Sequence, residues 1–160
     1  MFPDFKELLS IFHSRKVKYL VIGGYAVSLH AEPRATKDLD ILVKPDLENA
    51  KAVYEALAEF GAPLGGLVPE DLVERGKFFR MGRPPLMVDI LPVASGIDFD
   101  RAWENRLEIV IDAEAGSRAW FIASEDLISG KLAAGRPQDL ADVDALRKAA
   151  ANKIAPTRSS

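Results

Sequence analysis

VKYLVIGGYAVSLHAEPRATKDLDILV, spanning Val17 to Val43, reads as strand, glycine turn, short helix, loop and second strand. Tyr19, Leu20, Val21 and Ile22 form a compact apolar run that stops at Gly23-Gly24, and such a run cut off by paired glycines is a buried strand ending in a tight turn. The second strand carries charge. Asp38 and Asp40 are two apart in Asp38-Leu39-Asp40-Ile41-Leu42-Val43, so strand alternation predicts both carboxylates on one face and Leu39, Ile41 and Val43 on the other. Adjacent carboxylates repel, and an unpaired buried ion costs several kcal/mol. A divalent cation is the simplest partner that stabilises such a pair.

Outward from this stretch, helix and strand signals alternate. Asp4 is expected to cap a first helix, with Glu7 as its reciprocal partner and Phe5, Leu8, Leu9 and Phe12 as the apolar stripe. Pro45-Asp46 breaks the chain and caps a second strong helix, Leu47 to Phe60, stopped by Gly61. Residues 62–76 read mostly as loop, with one helical turn at Glu70 to Glu74. Lys77 to Met81 and Leu86 to Leu91 are expected as strands of a hairpin turned by Gly82-Arg83-Pro84-Pro85. Glu108 to Asp112 and Ala119 to Ala123 are two further strands. Ser124 is expected to cap a helix running toward Ala134, and Asp139 to cap a last one whose stripe is Leu140, Val143, Leu146 and Ala150. The pattern predicts one α+β domain over residues 1–152 and a frayed tail over residues 153–160.

Composition bounds the chemistry. The 160 residues are 48% apolar, with a net charge of −3 and a pI near 5.5, which suits a folded domain and gives no overall attraction to nucleic acid. Without cysteine, disulfides, thiolate metal sites and a cysteine nucleophile are excluded, and any metal must sit on oxygen or histidine. No apolar run reaches the roughly 18 residues of a membrane span, and Met1-Phe2-Pro3-Asp4 has no basic leader, so a cytoplasmic protein is expected. His13 and His30 fall near helix ends, where an imidazolium suits the dipole. Neither has the setting of a ligand, and Ser28 and Ser124 have no histidine to activate them. Trp103, Trp120 and Phe78-Phe79 read as core or lid contacts rather than base-stacking platforms, since few basic residues interleave them.

Chemistry concentrates in the glycines and acids. Gly23-Gly24 opens a helix with free backbone amides, which attract phosphate where no side chain blocks the approach. Asp89 stands among Met87, Val88, Ile90 and Leu91, where a strand interior should be apolar, so it needs a partner. If its strand lies beside that of Asp38 and Asp40, three acids can hold two magnesium or manganese ions about 3.5–4 Å apart, the arrangement that supports in-line phosphoryl displacement. The structural alternative pairs Asp89 with Arg80 or Arg83 across the hairpin.

Ile22-Gly23-Gly24, a spacer of thirteen residues, Asp38-Leu39-Asp40-Ile41 and later Asp89 resemble, in order, the signature of the polymerase-beta-type nucleotidyltransferase superfamily. Lys131 to Asp142, KLAAGRPQDLAD, is similar to the small AbiEii toxin-like members. The resemblance implies a mixed β-sheet flanked by helices, with short C-terminal helices. It implies that Gly23 and Gly24 hold the triphosphate, that Asp38, Asp40 and Asp89 bind two Mg2+ or Mn2+ ions, and that Asp89 takes the proton of the attacking hydroxyl. Arg34, Thr36, Lys37 and Lys131 are expected to meet the nucleotide. Implied partners are a nucleoside triphosphate such as ATP, a hydroxyl acceptor in RNA, protein or a small molecule, and an antitoxin protein. The chain departs from many members in lacking a serine hydroxyl at Gly24, and the large helical domain of bigger relatives is expected to be absent.

Overall fold

Where the chain changes direction is decided by a few residues with unusual backbone needs. In the computed structural model, which describes residues 1–154, Pro3 rather than Asp4 opens the first helix, α1 (Pro3–Ser14); Phe2 is its N-cap and no side chain caps it. A proline needs no partner for its missing N–H at that position, so Asp4 moves into the first turn, where its charge complements the helix dipole. Strand β1 (Tyr19–Ile22) is buried at every position. Gly23, at φ +68°, turns β1 directly into α2 (Gly23–His30).

Strand β2 (Leu39–Val43) leads into α3 (Leu47–Phe60), where Asp46 accepts the Asn49 N–H at 2.7 Å and Gly61 closes the helix in the left-handed conformation. Both signals act as expected. A short 3₁₀ turn, Pro69–Leu72, precedes the hairpin of β3 (Phe79–Arg83) and β4 (Leu86–Leu91). Pairing of Arg83 with Leu86 carries β3 two residues past the expected Met81 and leaves only Pro84-Pro85 as the turn. Helix α4 (Phe99–Glu104), capped by Asp98, was not anticipated, because its single turn and a half is too short for a period to show. Strands β5 (Leu107–Asp112) and β6 (Ser117–Phe121) form a second hairpin.

Helix α5 (Ser124–Ala134) begins after Ala123, so Ser124 is its first residue and not its cap. In α6 (Pro137–Ile154), Asp139 is three residues beyond Arg136 and accepts its backbone N–H at 3.1 Å; it is the reciprocal half of a capping box rather than the cap itself. The helix continues through Asn152 and Lys153 to Ile154, beyond the expected start of the frayed tail, and residues 155–160 lie outside the described residues.

The strands assemble into one mixed sheet in the order β3-β4-β2-β1-β6-β5, with β1 antiparallel to β2 and β2 parallel to β4. A parallel pair cannot be joined by a tight turn, and here α3 and β3 carry the chain from β2 back to the start of β4. Helices α1 and α3 pack together, while α2 packs on α5 and α6. Leu39, Ile41 and Val43 are buried, and so is Leu42, so both faces of β2 are covered. This is an α+β fold with a mixed sheet flanked by helices, as the sequence implied.

Candidate active site

Parallel pairing of β2 with β4 sets Asp40 directly opposite Asp89 and Leu39 opposite Val88. On the other side, Ile22 pairs with Asp40, so the chain turns into α2 beside the Asp40 carboxylate. A Cβ on Gly23 would run into that carboxylate, and a Cβ on Gly24 would come within 2.8 Å of Thr36 Cγ2. Glycine is therefore required at residue 23 twice over, by its positive φ and by the closeness of the acid. Thr36 fills the space that a residue-24 side chain would use and brings its hydroxyl to 3.4 Å from that position. The hydroxyl missing at Gly24 thus has a near neighbour.

Asp38 is placed differently from expectation. Strand β2 begins at Leu39 because β1 ends at Ile22, the partner of Asp40, and offers Asp38 no residue to pair with. Asp38 is exposed at the mouth of the strand. Its charge still reaches Asp40, whose carboxyl is pushed up to about 6, first by burial, then by Asp89 and Asp38, with Lys131 opposing. Two acids are thus brought side by side and the third stands at the entrance.

Asp89 keeps the structural alternative alive as well. Arg80 is its cross-strand partner in the β3–β4 hairpin, and Arg80 Nε stands 3.4 Å from Asp89 Oδ1. The contact is off the line of a hydrogen bond, and Oδ1 remains buried without a hydrogen-bond partner. Arg83, the other alternative, faces a separate region.

Among the described residues, no three acids or histidines close into a metal cage. The pair Asp40 and Asp89 nevertheless fits magnesium or manganese. It supplies hard oxygen donors, one of them an orphaned buried oxygen, beside open space, and Mg2+ takes its remaining ligands from water and substrate phosphates.

A cavity of about 420 Å³ opens on Asp40, lined also by Gly23, Gly24, Leu91, Ile97 and Lys131, among others. Lys131 is 14% exposed and its ammonium lies 3.0 Å from Asp142 and 3.4 Å from Asp139. Arg136 clasps Asp139 at 2.7 Å, and Arg34 reaches Asp142 at 2.8 Å. The Arg136 hydrogen bond chiefly holds the Asp139 carboxyl down near 2. For Asp142 burial pushes upward, but hydrogen bonds from Arg34, Lys131 and Gln138 outweigh it and the net direction is down. Arg34, expected to meet phosphate, is thus engaged with α6. Lys131 belongs both to this joint and to the cavity wall.

Between α2 and β2 the loop is held by Tyr25, whose hydroxyl donates to the Thr36 carbonyl at 3.0 Å, and by Ser28, which exchanges hydrogen bonds with the Arg34 backbone at 3.3–3.4 Å. Lys37 is exposed on it. His30, expected as an imidazolium, is instead buried, and burial lowers its pKa; neutral, it donates from Nε2 to the Ile122 carbonyl at 2.7 Å and ties α2 to the end of β6. The roles of Tyr25 and His30 depend on contacts distant in sequence, and no local signal marks them. A larger cavity, about 770 Å³, lies between the start of α1, the end of α3 and the hairpin; its charged lining is Asp4 and Arg83, without a pair of acids to do chemistry.

A family model described as "Nucleotidyltransferase of unknown function (DUF6036)" matches residues 2–151. Three solved structures have the same fold. The lincosamide antibiotic adenylyltransferase LnuA, solved with lincomycin bound, is 14% identical with a TM-score of 0.57, over 93% of this chain and 98% of that one. The antibiotic-resistance factor ANT(2'')-Ia in solution is 15% identical with a TM-score of 0.56, over 94% and 82%. ANT(2'')-Ia in complex with adenylyl-2''-tobramycin is 16% identical with a TM-score of 0.57, over 93% and 87%. No match was found among curated proteins. At these identities the likeness to the solved structures carries the fold alone.

Proposed function

We propose, on the premise that the chain belongs to the nucleotidyltransferases of the DUF6036 family, that it transfers a nucleoside monophosphate from a triphosphate such as ATP to a hydroxyl acceptor, releasing pyrophosphate. The observation that carries this reading is the register that sets Asp40 against Asp89 beside Gly23. Asp40 and Asp89, with Asp38 at the entrance, would hold two Mg2+ or Mn2+ ions. Such ions neutralise the charge that develops on a phosphoryl group and make a hydroxyl oxygen a better nucleophile.

Backbone amides at the start of α2 attract the triphosphate, and the dipole of α2 adds to this. Lys131, held in the cavity wall, and Lys37 supply positive charge toward the nucleotide, while the Thr36 hydroxyl beside Gly24 donates to the Arg34 carbonyl at 3.2 Å and holds the loop. Asp89 takes the proton as the acceptor oxygen bonds to the α-phosphorus and the bond to the β-phosphate oxygen breaks, so pyrophosphate leaves with its electron pair. The acceptors in the two antibiotic complexes are small molecules; a hydroxyl of RNA or protein is the alternative for this chain. The domain is read as spanning residues 1–152, and the described helices include none long and apolar enough to cross a membrane.

Incubation with α-labelled nucleoside triphosphates, Mg2+ and cell extract tests the reaction. Label is expected in an acceptor, with one pyrophosphate per transfer, and Asp40→Ala is expected to abolish it. Label released as free nucleoside monophosphate together with pyrophosphate, with no labelled acceptor, would favour a phosphohydrolase. The buried Lys131–Asp142 joint supports a second, narrower reading, in which the protein stands beside the small AbiEii-type toxins and has an antitoxin partner. Growth arrest on expression that Asp40→Ala removes would support it, and unimpaired growth would exclude it.

A further inference from the structure

Asp89 is 19% exposed, its Oδ1 has no hydrogen-bond partner, and the cation nearest to it belongs to the protein itself. Arg80 is on the edge strand, 50% exposed, and its Nε comes to 3.4 Å from that oxygen. The two residues are directly cross-strand in the hairpin, and β4 in turn sets Asp89 against Asp40. The row across the sheet is therefore guanidinium, carboxylate, carboxylate and the Ile22 side chain, with Gly23 next in the chain. A guanidinium is always charged and prefers to engage a carboxylate with two parallel hydrogen bonds. Here it makes neither, so the contact is electrostatic and easily exchanged. Two carboxylates side by side in a half-buried setting need positive charge, and Arg80 supplies it at the outer edge.

We propose that Arg80 is a built-in counter-ion of the acid pair: it neutralises Asp89 while no divalent cation is bound, gives way when one arrives, and so sets the affinity of the site for the cation. This assignment rests on the reading of Asp40 and Asp89 as cation ligands. Arg80 is a positioning residue, since it acts through Asp89. Its side chain is long and its strand has a free edge, so the guanidinium can leave Asp89 for solvent without disturbing the hairpin. The other charged groups near the pair act differently. Lys131 is held by Asp139 and Asp142, and Arg83 lines the separate cavity beside Asp4.

Equilibrium binding of Mn2+ to the intact protein, read as loss of the free-ion paramagnetic resonance signal, tests the proposal, with thermal melts of the metal-free protein alongside. Arg80→Gln is expected to tighten Mn2+ binding roughly twofold to fivefold, the range for one half-exposed charge pair, and to lower the metal-free melting temperature by a few degrees, a loss that Mn2+ restores. Arg80→Lys, which keeps a charge on a shorter reach of hydrogen bonds, is expected to fall between. Arg83→Gln removes the same charge from the same strand and is expected to leave Mn2+ affinity unchanged. If wild-type protein binds Mn2+ but Arg80→Gln and Arg83→Gln behave alike, the counter-ion role is overturned while the cation site stands. If wild-type protein takes up no Mn2+ at millimolar concentration, the cation site itself is overturned and the counter-ion role with it.

Discussion

Gly23 and Asp40 define the centre of the site through a contact that leaves no room for a side chain. With φ at +68° and a Cβ that would strike the Asp40 carboxylate, Gly23→Ala is expected to cost at least about 1–2 kcal/mol from the backbone alone, and more from the displaced acid. Urea unfolding at neutral pH measures it, and a loss below about 0.5 kcal/mol would show that the turn is not as tight as described. Asp40 makes a second prediction. Its folded carboxyl titrates near 6, above its unfolded value near 4, so the folded state binds the extra proton between those pH values and stability falls as pH rises through that window. Metal-free protein is expected to lose up to about 2 kcal/mol between pH 4 and pH 7 from this group, and Asp40→Asn to flatten the slope. Both residues were legible in the sequence, since paired glycines and acids alternating with apolar residues are local signals. Asp38 was misjudged for a local reason too, because alternation holds only inside a strand, and β1 ends before Asp38 can pair.

Helices α5 and α6 are joined by a cluster of charges. Asp139 and Asp142 are buried between Lys131, Arg34 and Arg136, and removing Asp142 takes one of its two carboxylate partners from the nearly buried Lys131. Asp142→Ala is expected to destabilise the protein by about 1–3 kcal/mol, whereas Arg136→Ala, at a side chain 76% exposed, is expected to cost under about 1 kcal/mol; thermal melts of the two variants compare them. Both carboxyls are held below their usual range. For Asp139 the contribution is therefore present above its unfolded value near 4 and is lost as pH falls toward about 2; Asp142 acts in the same direction, the opposite sign to that of Asp40. The motif KLAAGRPQDLAD was visible in the sequence as a cluster of charges. That Arg34 completes it from another element was not, because an arginine after a proline in a loop signals nothing about a helix more than a hundred residues on. Caps were harder still: the cap of α1 is Phe2, two positions before Asp4, and that of α5 is Ala123, one before Ser124, because proline suits the first helical position and shifts of a residue or two at a helix start differ little in energy.

Across the whole molecule, what matters is which strands are neighbours. Asp40 and Asp89 meet only because β4, and not β3, lies against β2 in parallel register. Strand and turn residues announce a hairpin over residues 77–91, but both of its strands carry apolar residues, and only the crossover through α3 decides which one turns inward. The class of fold, the order of glycine and acids and the choice of Arg80 or Arg83 as a neighbour of Asp89 could therefore be read from the chain, while the closeness of the acid pair and the selection of Arg80 needed the sheet. The central claim is that this pair and the glycine turn form a cation-dependent nucleotide site. Calorimetric titration of a nonhydrolysable ATP analogue into the protein, with and without Mn2+, tests it most directly. Binding in the range of about 1 μM–1 mM that needs Mn2+ and disappears in the Asp40→Ala, Asp89→Ala double variant is the predicted result; no heat at millimolar nucleotide with Mn2+ present, or equal binding by the double variant, would contradict it.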